Sequence, residues 1–117
     1  MNDELIITTG LDTPRCLLLR LEGTLDGRGA PALEQSCAPA GGNDRRLVLN
    51  LAGVTSITSS GIGALLALVE EHRQEFGKIR IAAPSAAVLA VIRLLNLHHF
   101  LLIDDSEEQA IRGSEAA

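Results

Sequence analysis

The chain has 117 residues, 46% of them apolar and 21% charged, with 15 acidic against 10 basic side chains. That length supports one core without a disulfide or metal as a staple, so a single domain is expected over 1–117, with its core at about 4–111 and a frayed tail at 113–117. A net charge of −5, one lysine (Lys78) and scattered arginines exclude broad phosphate neutralisation on nucleic acid or an anionic membrane, and two phenylalanines without Trp or Tyr exclude a base-stacking platform. No apolar run approaches the roughly 20 residues of a membrane span. Met1-Asn2-Asp3-Glu4 is acidic where a secretion signal starts basic. Cys16 and Cys37 lie in apolar segments without Cys-x-x-Cys spacing, so two separate buried thiols and a cytoplasmic protein are expected.

Leu5 to Thr9 is a short β-branched run ended by Gly10, and Asp12-Thr13-Pro14 reads as a turn. Cys16 to Leu25 is a second extended run, which makes an antiparallel hairpin with the first. Pro31 suits the first turn of a short helix over about Pro31 to Ala38, and residues 40–44 carry loop breakers. Leu47 to Leu51 is a buried strand, followed by a turn at Ala52-Gly53. Ile62, Leu65, Leu66 and Val69 then recur at helical spacing, with Phe76 extending the stripe and Gly77 stopping it. Ile79 to Ala82 alternates as a strand. Val88, Val91, Ile92 and Leu95 mark a helix that starts at Ala83-Pro84-Ser85 and ends near Asn96. Phe100 to Ile103 is a last strand, and Ser106 with Gln109 fits the capping box of a terminal helix. Strands alternating with helices predict an α/β fold: a mixed, mainly parallel sheet of four to five strands, with an antiparallel edge from the N-terminal hairpin.

Catalytic chemistry is hard to find. There is no phosphate-loop pattern, Leu66 stands where a dinucleotide fingerprint after Gly61-Ile62-Gly63 needs glycine, and His72, His98 and His99 have no companions at metal-ligand spacing. No enzyme, metal or cofactor is expected. The dense polar feature is Thr55-Ser56-Ile57-Thr58-Ser59-Ser60, five hydroxyls in six positions between a buried strand and a helix. By spacing alone the simplest role is a helix cap at Thr58 or Ser59. One cap needs only one hydroxyl, however, and a helix N-terminus also tolerates a phosphate, because its free N–H groups and dipole favour an anion.

In this segment the sequence resembles the STAS domains, and among them the small free-standing anti-sigma-factor antagonists. Glu22-Gly23-Thr24-Leu25-Asp26 looks like the family's Gly-x-Leu-Asp motif; Leu47 to Leu51 followed by Val54 to Leu65 looks like its signature strand, loop and helix start; Val88 to Phe100 is similar to its third helix and Leu-rich exit. The resemblance implies a non-catalytic partner-binding protein that regulates transcription indirectly. Its unmodified form would bind an ATP-dependent serine kinase that doubles as an anti-sigma factor. Phosphorylation would release it, and a serine phosphatase would reset it. Carried over by position, the acceptor is Ser59, with Ser60 and Thr58 as rivals, and the partner surface comprises Asp26, Thr58, Ser59, Ser60, Gly61 and Ile62. Asp26 matches the aspartate beside the acceptor loop. As a plain helix cap it stands some four residues before the expected helix start, so a partner-facing or loop-ordering role competes with capping. Two positions depart from the family pattern: Thr58 and Asn50 stand where aspartates are usual, and both changes are expected to remove negative charge near Ser59. The alternative implied by the same family is a constitutive STAS subunit of an ABC-type transporter or sensory complex, with Ser59 only a cap.

Overall fold

The computed structural model describes residues 4–38, 45–71 and 79–115. The expected loop over 40–44, the helix extension to Phe76 with its stop at Gly77, and His72 and Lys78 lie outside them, as does Met1-Asn2-Asp3. Five strands, β1 (Ile6–Asp12), β2 (Cys16–Leu25), β3 (Arg46–Ile57), β4 (Ile79–Ala82) and β5 (Ile103–Asp104), form one sheet in the order β1-β2-β3-β4-β5. The β1–β2 pair is antiparallel and the other pairs are parallel. The helices are α1 (Ala30–Cys37), α2 (Ser59–Glu71), α3 (Ala86–Leu94) and α4 (Glu107–Glu115).

Because successive parallel strands are neighbours and crossovers are right-handed, α1, α2 and α3 all lie on one face of the sheet. The pleat sorts the strand residues accordingly. Leu17, Leu19 and Leu21, Leu47, Leu49 and Leu51, and Ile79 and Ile81 share the main core with Leu33 and Cys37 of α1, Ile62, Leu65 and Leu68 of α2, and Val88 and Ile92 of α3. The alternate residues Cys16, Leu18, Val48 and Ala82 meet Ala110 and Ile111 of α4 on the other face. The thiols of Cys16 and Cys37 are thus buried on opposite faces of the sheet and cannot pair.

Several boundaries differ from expectation for local reasons. Gly10 does not end β1; it sits at a register shift between Thr9 and Leu11, and β1 runs on to Asp12. The hairpin turn is closed by the Thr13 hydroxyl, which accepts hydrogen bonds from the backbone N–H groups of Cys16 (3.0 Å) and Arg15 (3.3 Å). No turn interrupts β3 at Ala52-Gly53. The strand instead carries one extra residue relative to β2 between the pairs Arg20–Asn50 and Glu22–Gly53, and another between Gly23–Val54 and Thr24–Ser56. The first bulge lets Leu51 and Val54 face the same core, both fully buried. The last strand is shorter than expected, since Leu97–His99 forms a 3-10 turn and leaves Phe100 70% exposed. Helix α4 extends through Gly113 to Glu115.

A polar rim pins α4 to the sheet. Glu107 accepts hydrogen bonds from Arg20 at 2.7 and 3.0 Å and from the Asn50 amide. The neighbouring pair Arg80–Asp104 is bidentate at 2.8 and 3.2 Å, and Gly113 packs so close to it that a Cβ would lie 2.8 Å from the Arg80 guanidinium. Hydrogen bonding from Arg20 holds the Glu107 carboxyl below its ordinary value, against the opposing pull of partial burial. A depressed carboxylate stabilises the fold above its unfolded pKa, and that contribution is lost as pH falls through the folded value. Acidification from neutral pH to about pH 3 is therefore expected to lower the melting temperature less in Glu107→Gln than in the parent chain, as read by circular dichroism; equal slopes would contradict the assignment.

Candidate functional site

The hydroxyl cluster lies where the parallel strands β2 and β3 end side by side. Three close approaches seat the first turn of α2 on the end of β2. Thr58 N–H donates to the Leu25 carbonyl at 3.1 Å. A Cβ on Gly61 would lie 2.0 Å from that same oxygen and 3.2 Å from the Asp26 Cα. Gly27 N–H donates to the Ser60 hydroxyl at 3.0 Å, and a Cβ there would meet the Ser60 Cβ at 3.2 Å. Glycine at 61 is required by this packing rather than by its dihedrals, because only a hydrogen fits.

The three consecutive hydroxyls of the expected acceptor region are consequently unequal. Thr58 caps α2: its oxygen accepts from Gly61 N–H at 3.1 Å. The Thr58 and Ser60 hydroxyls share a hydrogen bond of 3.0 Å, and Ser60 also accepts from Gly27. Ser59 is exposed, and its hydroxyl makes no hydrogen bond among the described residues. Thr55 reaches back to the Gly23 carbonyl at 3.3 Å. We expect Thr58→Ala and Ser60→Ala each to cost about 1 kcal/mol of unfolding free energy and Ser59→Ala less than about 0.5 kcal/mol in urea titrations. A Ser59→Ala cost equal to the other two would mean that its hydroxyl also holds the fold.

Asp26 does act as a cap, of an element the sequence does not announce. A 3-10 turn, Gly27–Gly29, precedes α1, and the Asp26 carboxylate accepts from Arg28 N–H at 3.0 Å. The Arg28 guanidinium also grips it, at 3.0 and 3.2 Å. That hydrogen bonding from Arg28 keeps the Asp26 carboxyl below its usual value, ionised and paired at neutral pH. Arg28 is the residue that sequence reasoning missed; an acid and a base two positions apart beside a glycine was the available signal. Gly61 and Ile62, expected at a partner surface, are buried against β2 and the core, so the exposed surface here is made by Ser59 and its polar neighbours. Asn50 also corrects an expectation. It faces α4, accepting from Ala52 N–H at 2.8 Å and donating to Glu107, so its missing charge is not beside Ser59. An aspartate there would place a second carboxylate against Glu107.

Among the described residues no helix is long and apolar enough to cross a membrane, and no three His, Cys, Asp or Glu side chains group as a metal site. The structure is similar to that of the anti-sigma factor antagonist SpoIIAA in its unphosphorylated form, with a TM-score of 0.75 at 21% identity over 96% of this chain and 98% of that one. It is similar also to an anti-sigma factor antagonist from Mycobacterium paratuberculosis, with a TM-score of 0.77 at 22% identity over 97% and 96% of the two chains. A third likeness is to part of the murine anion transporter Slc26a9, with a TM-score of 0.75 at 17% identity, covering 92% of this chain and 19% of the transporter. The STAS domain family model matches residues 11–110, from the end of β1 to α4, and this chain belongs to the STAS domain family.

Proposed function

We propose that this STAS domain is an anti-sigma-factor antagonist that works as a phospho-switch at Ser59. Unmodified, it binds an anti-sigma factor that is also an ATP-dependent serine kinase, which frees the sigma factor. The kinase then transfers the γ-phosphoryl group of ATP to the Ser59 oxygen; the hydroxyl proton leaves to a base of the kinase and ADP departs. The modified protein dissociates, and a serine phosphatase restores the hydroxyl by hydrolysis. The observation that carries this reading is the inequality of the three hydroxyls: Thr58 and Ser60 hold the fold, while the exposed Ser59 makes no hydrogen bond among the described residues.

The electrostatics support it as well. With Asp26 paired to Arg28 and threonine at position 58, neither residue opposes a phosphate of up to two negative charges on Ser59 with an unpaired carboxylate. The first turn of α2 contains no acidic side chain to oppose it. The test is to purify the protein from its native cells and locate phosphate by fragmentation mass spectrometry. Phosphate on Ser59, with none on Thr58 or Ser60, is the expected result. Phosphate on Ser60 or Thr58 would refute the assignment, and a chain never phosphorylated under any growth condition would favour a constitutive STAS subunit, the reading that Thr58 in place of aspartate invites.

A further inference from the structure

The Arg28–Asp26 pair flanks Gly27, which is bonded to Ser60, the chain neighbour of Ser59, and the pair is not needed for the turn it adjoins. Asp26 caps the 3-10 turn through one carboxylate oxygen, which accepts from Arg28 N–H at 3.0 Å; the guanidinium binds the other oxygen. The cap therefore survives if the guanidinium leaves. The Arg28 side chain is 78% exposed, whereas the Asp26 side chain is 17% exposed, so the arginine arm lies on the surface.

The turn that carries Arg28 is tied to the helix that carries Ser59. Gly27 N–H lies 3.0 Å from the Ser60 hydroxyl, and Arg28 and Ser59 are the chain neighbours of those two residues, each about 3.8 Å further on between Cα atoms. That contact keeps the backbones at 28 and 59 close enough for an extended arginine arm and a phosphoserine to be brought together. A guanidinium binds phosphate through two parallel N–H donors and meets a dianion where Asp26 offers a single charge.

We propose that Arg28 is the counter-ion of a phosphate on Ser59, leaving the Asp26 carboxylate when Ser59 is modified and returning to it when the phosphate is removed. Modification then changes two things at once on the partner-facing surface: a phosphate appears, and the Asp26 charge is uncovered beside it. Arg28 acts here as a positioning residue that couples the two. The inference rests on the reading of Ser59 as the acceptor, yet its test needs neither kinase nor partner.

The experiment uses the full chain with phosphoserine incorporated at position 59 during synthesis, in the parent background and in Arg28→Gln and Arg28→Lys. The phosphorus NMR signal is followed across its titration, with melting temperatures confirming that all three are folded. The phosphate of the parent is expected to titrate lower than that of Arg28→Gln by about half a pH unit, the small end of what a facing cation gives an exposed oxyanion, with Arg28→Lys restoring part of the shift. Equal titration in all three would overturn the role of Arg28, as would a higher midpoint in the parent. Failure here would leave partner release by phosphorylation intact, whereas failure of that release would leave the phosphate–Arg28 contact measurable, so the two ideas fail separately.

Discussion

Replacing Gly61 with alanine is expected to cost about 3 kcal/mol or more of unfolding free energy, the opposite of what the same change does in most helices. Gly61 lies inside α2, where alanine is ordinarily favoured over glycine by about 1 kcal/mol. Here a Cβ would lie 2.0 Å from the Leu25 carbonyl oxygen and 2.6 Å from its carbon, and both are backbone atoms that cannot rotate aside. The methyl group must push α2 off the end of β2, and the bonds from Thr58 N–H to Leu25 and from Gly27 N–H to Ser60 break with it. Gly63 is the control. Two residues on in the same helix, it has nothing within 4 Å of a Cβ, so Gly63→Ala is expected to stabilise by about 0.5–1 kcal/mol. Urea denaturation of the two variants side by side checks the sign of each. If Gly61→Ala proved as stable as Gly63→Ala, α2 would not be seated on β2 as described.

The element order and the mainly parallel sheet were legible because hydrophobic period and breakers agree along most of the chain. Ile62, Leu65 and Leu66 at helical spacing, and Ile79 to Ala82 between polar segments, leave little choice of element. Less could be read where both faces of a strand are buried. Cys16 to Leu19 is apolar throughout because α4 covers one face of β2 and the other helices cover the opposite face, so alternation is erased. The bulges of β3 were hidden for a different reason: Ala52-Gly53 carries the same local signal as a turn, and only pairing with β2 keeps it extended. Phe100 looked like the start of a strand because it opens the apolar run Phe100 to Ile103. The left-handed Asn96 (φ 58°) ends α3, and the 3-10 turn after it directs Phe100 outward.

At the site, the hydroxyl cluster and its place before α2 were visible in composition alone, but the ranking of the hydroxyls was not. Which of Thr58, Ser59 and Ser60 is engaged depends on Gly27, more than thirty positions earlier in the chain, and on the close seat of Gly61. The Asp26–Arg28 pair escaped because the turn containing it has two glycines and no periodicity. Asn50 was misplaced by proximity in sequence: β3 is long enough to carry it away from the helix start and towards Glu107.

The second large effect concerns binding. In the proposed switch the partner rests on the exposed surface around Ser59, so a charge introduced there is desolvated or repelled on docking. Ser59→Asp is expected to weaken binding about tenfold or more, equivalent to at least about 1.4 kcal/mol, while Ser59→Ala binds as tightly as the parent and cannot be released. Neither change disturbs the fold, because the Ser59 hydroxyl holds nothing among the described residues and Thr58 retains the cap. The most direct measurement is a pull-down from lysate of the native cells with the parent chain, Ser59→Ala and Ser59→Asp run in parallel, and the retained proteins identified by mass spectrometry. One ATP-binding serine kinase is expected to be retained by the parent and by Ser59→Ala and lost with Ser59→Asp. Retention of the same transporter or scaffold proteins by all three would contradict it and make this chain a constitutive STAS subunit.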